Sequence, residues 1–161
     1  MPSRTSRSYW VFIFLIVLAH FVLRLAIGLA DRAPDLLTVA VLLGARRLRG
    51  FHAALLGFVL GVLNDALSLV AFGAEAVVLS LLGFVGARSR DLFEGDSMLF
   101  VGFYVFLGKW LHDVLYQFLA RGIPHGETAS FLLVQAPLAA LYAAGAAILA
   151  LILYRATTGD R

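Results

Sequence analysis

The stretch RRLRGFHAALLGFVLGVLNDALS, residues 46–68, joins a burst of positive charge to a long apolar run. Arg46, Arg47 and Arg49 stand within four residues of a chain that is 61% apolar and only 14% charged. Soluble domains carry about a quarter charged residues, so this composition belongs to a membrane protein. Basic loops are retained on the cytoplasmic side, so the arginine turn sets the orientation. Beyond it, Gly57, Gly61 and Asp65 recur at four-residue steps, with Ser68 close beside. Gly57-x-x-x-Gly61 is a small-residue face that lets a second helix approach closely. Asp65 on the same stripe is expected to be buried against that helix rather than turned to lipid.

Outward from this stretch, apolar runs follow one another with short polar breaks. A first span is expected at Tyr9–Ala30, with Tyr9 and Trp10 at the interface. Arg4 and Arg7 before Tyr9–Leu23 resemble a signal peptide, but no small-residue cleavage site follows, so a retained helix is expected. A second, Leu36–Ala45, lies between Asp35 and Arg46 and supplies about 15 Å of helix, half a bilayer. It either draws Pro34-Asp35 inward or stays short and shielded by neighbours. Further spans are expected at Phe51–Phe72, Ala76–Ala87, Met98–Ala120 and Phe131–Tyr154, with a tight Gly73-Ala74 turn between the third and fourth. Short loops and no extended alternation exclude a barrel, leaving an all-α bundle of six membrane helices, or five if the second segment is re-entrant. The 161 residues make one membrane domain with little left for a soluble module.

With the amino terminus inside, nine basic residues fall on the cytoplasmic side: Arg4, Arg7, Arg46, Arg47, Arg49, Arg88, Arg90, Arg155 and Arg161. Arg32 and Arg121 fall opposite, while Arg24 and Lys109 lie within spans. That asymmetry implies six crossings with both termini cytoplasmic. The net charge of +3 is thus loop charge rather than a nucleic-acid surface. The Arg46–Arg49 cluster is first a topology determinant, and its secondary reading is contact with anionic membrane lipid or an acidic cytoplasmic partner. There are no cysteines, so neither disulfides nor thiolate chemistry is available.

Polar and ionisable groups at bilayer depth carry a cost, a few kcal/mol for an ionisable one, and need a partner or a role. Here they are His20 and Arg24 on the first span, Asn64 and Asp65 on the third, and Lys109, His112 and Asp113 on the fifth. Glu75 is placed nearer the interface. Lys109, His112, Asp113 and Tyr116 share one stripe, and Ala140, Ala144 and Ala147 form a small face on the sixth span. The three polar sets lie at similar depth in the outer half of the bilayer, so one cluster is expected. Its plainest role is to fix helix register through ion pairs. Lone histidines are more often interhelical donors than ligands, and no HExxH spacing occurs, so no metal or other cofactor is expected.

No reaction is specified. Asp65 and Asp113 lack the Gly-x-Gly-Asp or Asn-Leu-Ala-Asp setting of an aspartyl protease, and Arg24 and Lys109 stand ready to neutralise them. No Gly-x-Ser-x-Gly or phosphate-binding glycine loop is present.

Pro34-Asp35-Leu36-Leu37, the arginine turn, Gly57-Phe58-x-x-Gly61-x-x-x-Asp65-x-x-Ser68, and Gly73 followed by Leu82-Gly83-Phe84-x-x-x-Arg88 resemble the rod shape-determining MreD family in order and spacing. The resemblance covers about residues 34–90. Glu75 departs from it, since the family commonly has an uncharged residue there, and Lys109, His112 and Asp113 have no counterpart. It implies a non-enzymatic inner-membrane subunit of the bacterial cell-elongation machinery. Such a protein sits beside MreC and links MreB filaments to the peptidoglycan synthases, RodA and its penicillin-binding protein. It also implies a six-helix fold like that of the substrate-binding subunits of energy-coupling-factor vitamin transporters. Arg46, Arg47, Arg49, Arg88 and Arg90 then face MreB or the synthases, and Asp65 supports the bundle or a MreC-binding groove.

The alternative is such a transporter subunit itself. His20, Arg24, Asp65, Lys109 and Asp113 would line a vitamin pocket with Trp110 and Tyr116. Against it, Ala140–Ala144, which has the Ala-x-x-x-Ala spacing suited to docking an energising module, lies nearer the other face.

Overall fold

Ten uncharged and mostly apolar residues, Leu36–Ala45, form the helix around which the others are arranged. The computed structural model describes residues 4–26, 34–67, 72–89, 97–121 and 130–158. These form helices α1 (Arg4–Ala26), α2 (Leu36–Ala45), α3 (Gly50–Ala66), α4 (Ala74–Ser89), α5 (Met98–Arg121) and α6 (Ala136–Thr158). A π-helical turn, Phe131–Gln135, opens α6, and no strand occurs among the described residues. Three segments are long and apolar enough to cross a membrane: Arg7–Leu25, Met98–Ala120 and Phe131–Thr158. That is the pattern of a membrane protein.

A helix apolar on every side belongs in the interior. Every α2 residue but Leu36 is buried, and α1, α3, α4, α5 and α6 all pack against it. The second segment is therefore short and shielded. Its boundaries follow local chemistry. Asp35 caps the amino end by accepting from the Thr38 amide (3.2 Å) and the Thr38 hydroxyl (2.6 Å). At the other end, the last carbonyls of a buried helix need donors. Tyr9 Oη of α1 donates to the Leu43 carbonyl at 2.7 Å, and Tyr104 Oη of α5 to the Leu42 carbonyl at 3.2 Å. The Arg46–Leu48 turn then leads to extended Arg49, where α3 begins.

Helices α3 and α4 form an antiparallel hairpin with backbones in contact. A Cβ on Gly57 would strike the Leu79 carbonyl, one on Gly61 the Ala76 backbone, and one on Gly83 the Ala53 carbonyl. The small-residue face expected at Gly57 and Gly61 therefore packs on α4. The third span, expected to reach Phe72, instead ends as helix at Ala66, with Phe72 and Gly73 in a turn. Gly73 has φ +95°, which favours glycine and sets the entry to α4. The first span is helical to Ala26, and residues 27–30 lie outside the described residues. Ala140, Ala143, Ala144 and Ala147 of α6 are buried, so that face packs inward as well.

Pro137 follows the π-helical turn, and in a regular α-helix its ring would crowd the Leu133 carbonyl four residues back. In the wider register the residue at 137 would donate to Leu132, but proline has no N–H. Ala136 N donates to the Phe131 carbonyl, in the i→i+5 pattern, and Trp110 Nε1 of α5 donates to Leu132 O at 3.2 Å. A tryptophan thus supplies the donor that proline lacks.

Two stability tests follow, read by reversible unfolding in detergent. Gly57→Val should destabilise the protein by about 1–3 kcal/mol by prising α3 from α4, whereas lipid-facing Val59→Ala should stay within about 0.5 kcal/mol. Trp110→Phe should cost about 1 kcal/mol beside Pro137 and nearly nothing in a Pro137→Ala background, where the main chain has its own donor.

Candidate functional site

Five helices bring polar side chains together at the end of the bundle remote from the arginine turn. The last turns of α1 and α3, the first turns of α2 and α4, and the middle of α5 contribute. At the centre, Lys109 Nζ lies 2.9 Å from Asp35 Oδ2 and 2.5 Å from Asp113 Oδ1. His112 presents Nδ1 to Asp113 Oδ1 and Nε2 to Glu75 Oε1, each at 3.1 Å. Both ring nitrogens therefore face carboxylate oxygens. Tyr116 stacks on the imidazole, with ring centroids 6.0 Å apart. Lys109, His112 and Glu75 are buried, and Asp113 and Asp35 nearly so.

The α1 and α3 members form a second group beside the first. Arg24 Nη1 donates to Asn64 Oδ1 at 2.6 Å. His20 lies close to Asn64, and its Nε2 is buried without a hydrogen-bond partner among the described residues. Asp65 is only 2% exposed, and its carboxylate accepts from the backbone N–H groups of Gly73 (3.0 Å), Glu75 (3.3 Å) and Ala76 (3.0 Å). It thus caps α4 from the end of α3, meeting the unsatisfied amides and positive dipole of that terminus.

The expected residues thus gather, with two changes of role. Arg24 and Lys109 were expected to neutralise Asp65 and Asp113. Lys109 does pair with Asp113, but Asp65 serves a helix terminus and Arg24 binds an amide. Glu75, expected near the interface, is buried against His112 because the Asp65 cap draws the α4 amino terminus into the bundle. Asp35 is the member that sequence reasoning passed over. Its signal was available, since an Asp three residues before Thr38, opening a helix too short to span, places its cap at depth.

The basic residues occupy the opposite end. Arg47 lies over the Tyr9 ring, 4.1 Å from its centroid, and Arg88 lies 6.0 Å from the Phe84 centroid. Arg46 and Arg49 flank the α2–α3 turn, whereas Arg90 falls outside the described residues.

Asp35, Glu75 and His112 each offer a ligand atom within 4.8 Å of the others. No sequence spacing signals that grouping, because the three come from different helices. The Lys109 ammonium already stands against Asp35, and both His112 nitrogens are engaged, so the cluster carries its own cation. A separate cleft of about 160 Å³ lies between α4 and α5, with walls such as Leu82, Val85, Phe103 and Leu107. Its lining includes none of the ionic residues of the cluster. No family model, curated protein or solved structure matches the chain.

Removing one member of a buried ion pair leaves its partners uncompensated. Lys109→Met should therefore destabilise the protein by about 3–5 kcal/mol, and adding Asp35→Asn and Asp113→Asn should recover most of the loss. Asp65→Ala should cost about 1–2 kcal/mol as a lost cap. Asp65→Asn, which keeps an acceptor, should cost less. Unfolding equilibria of the purified variants check both orderings.

Proposed function

We propose that this chain is a non-enzymatic, multi-pass subunit of the bacterial cell-elongation machinery, a protein of the MreD type. One observation carries the reading. The residues that bear the MreD resemblance coincide with the points on which the fold turns. Asp35 caps the central helix, Gly57 and Gly61 form the α3–α4 crossing, Asp65 caps α4, and Gly73 makes the turn before it. A pattern tied to packing and capping marks a shared architecture rather than a shared reaction.

In this reading the bundle crosses the inner membrane six times with both termini in the cytoplasm. Successive helices alternate in direction, and Arg46, Arg47, Arg49, Arg88 and Arg155 gather at one end, which supports that topology. Residues 1–161 form a single membrane domain. The arginine end meets MreB and the cytoplasmic parts of RodA and its penicillin-binding protein. MreC lies alongside the helices, and Asp65 maintains the hairpin that supports its groove. The vitamin-transport alternative gains no comparable support, because Arg24, Asp65, Lys109 and Asp113, which it needs, already have partners within the protein.

Depletion in the native cells should make rods round up before they lyse. Unchanged outlines with normal wall synthesis would sink the assignment. Asp65→Ala should also reduce MreC capture by crosslinking at equal membrane abundance, and unchanged capture would remove Asp65 from the partner interface.

A further inference from the structure

The α3–α4 crossing has an outer side, and its shape follows from the glycines. With the two backbones in contact at Gly57, Gly61 and Gly83, the larger side chains are displaced to the flanks and stand up as ridges. On the outer flank this leaves a groove of about 360 Å³. Phe58, Val77, Leu81 and Phe84 form its exposed walls, and the short side chains of Ala54 and Ser80 line it between them.

The groove has a chemically distinct end. A Cβ on Gly50 would lie 3.1 Å from the Phe84 ring, so the start of α3 and its N-cap Arg49 come down where Phe84 stands. Arg88, one turn further along α4, lies 6.0 Å from the same ring. Among the described residues, every charged side chain at this end of the bundle is an arginine. From Val77 to Arg88 helix α4 rises by about 16 Å, close to the roughly 15 Å depth of one leaflet's hydrocarbon.

We propose that the outer α3–α4 groove binds an anionic glycerophospholipid, one acyl chain lying along Phe58, Leu81 and Phe84 and the phosphate meeting Arg49 and Arg88. The match is one of length, wall chemistry and charge. A partner helix fits less well: with side chains it is about 10–12 Å across, and an apolar one brings no anion to the arginines. Guanidinium forks are suited to phosphate oxygens, and a juxtamembrane arginine contributes about fivefold to anionic-lipid affinity. Asp91, Glu94 and Asp96 follow Arg88 in the sequence and lie outside the described residues, so headgroup charge is a variable of the test. The inference requires only placement in a bilayer and is independent of any role in cell elongation.

The test uses the full chain in detergent. Native mass spectrometry compares retention of phosphatidylglycerol with that of phosphatidylcholine of the same acyl chains. A phosphatidylglycerol carrying a photoreactive acyl chain then maps the contact by peptide analysis. The site predicts severalfold preference for phosphatidylglycerol, with labelling on the α3 and α4 peptides around Phe58 and Leu81–Phe84. Arg49→Gln with Arg88→Gln should remove that preference, whereas the Arg→Lys pair should keep most of it. Ser80→Phe, which fills the groove, should abolish groove labelling, with thermal unfolding measured on every variant to confirm folding. Equal retention of the two lipids would overturn the proposal. So would labelling spread evenly over the lipid-facing helices, or a preference that survives loss of both arginines in a folded variant.

Discussion

The contact between Lys109 and Asp35 is the one on which the arrangement of the bundle depends. Helix α2 is about half a bilayer long, so its two ends need not both reach water. Asp35 at its amino end is the side chain that completes its first turn. A carboxylate in that position needs a cation, and α5 supplies one from its middle rather than its end. The ammonium in turn requires further acceptors, which brings in Asp113 one turn along α5. His112, on the same stripe, then reaches Glu75 on α4. A short helix thus leads, by successive satisfaction of buried polar groups, to a network joining α2, α4 and α5.

The opposite end of α2 is completed differently, and the contrast gives the bundle its polarity. Its last carbonyls take neutral donors, Tyr9 from α1 and Tyr104 from α5, while the arginines just beyond lie over aromatic faces or beside them. Charges are internal and mutually compensated at one end and peripheral at the other. Between the two, α3 and α4 are held by backbone contact at glycines, which leaves their outer flanks as ridges with a groove. The register fixed inside therefore determines the surface presented outside.

How much of this could be read from sequence depended on whether the deciding interaction was local. The bounds of α2 were legible because Asp35 and Arg46 enclose a run with no charged residue. The inward stripe of α3 was legible because Gly57, Gly61 and Asp65 share one helix face. The end of α3 was not, since residues 67–72 continue the apolar run and hydropathy carries no record that Asp65 caps the next helix. The same contact hid Glu75, whose burial follows from that cap. The π-helical turn was in principle readable from Pro137, but its donor, Trp110, lies on another helix. Depth along each helix could be estimated from the sequence; which side chains met at that depth required the lateral order of the helices.

Saturation decides what the polar cluster does. Every carboxylate in it faces a donor: Asp35 the Thr38 amide and Lys109, Asp113 both Lys109 and His112, Glu75 His112, and Asp65 three backbone amides. A polar ligand entering there would have to break a buried ion pair before making its own contacts, and that step costs several kcal/mol. Carboxylates already paired act through the geometry they enforce, since alternative helix registers would leave their charges unpaired in hydrocarbon. Recognition then falls to surfaces whose groups still face outward, the arginine end and the lipid-facing flanks. That division, paired carboxylates inside with binding at the margin, is what the proposed role as a scaffold between a membrane and cytoplasmic partners would require.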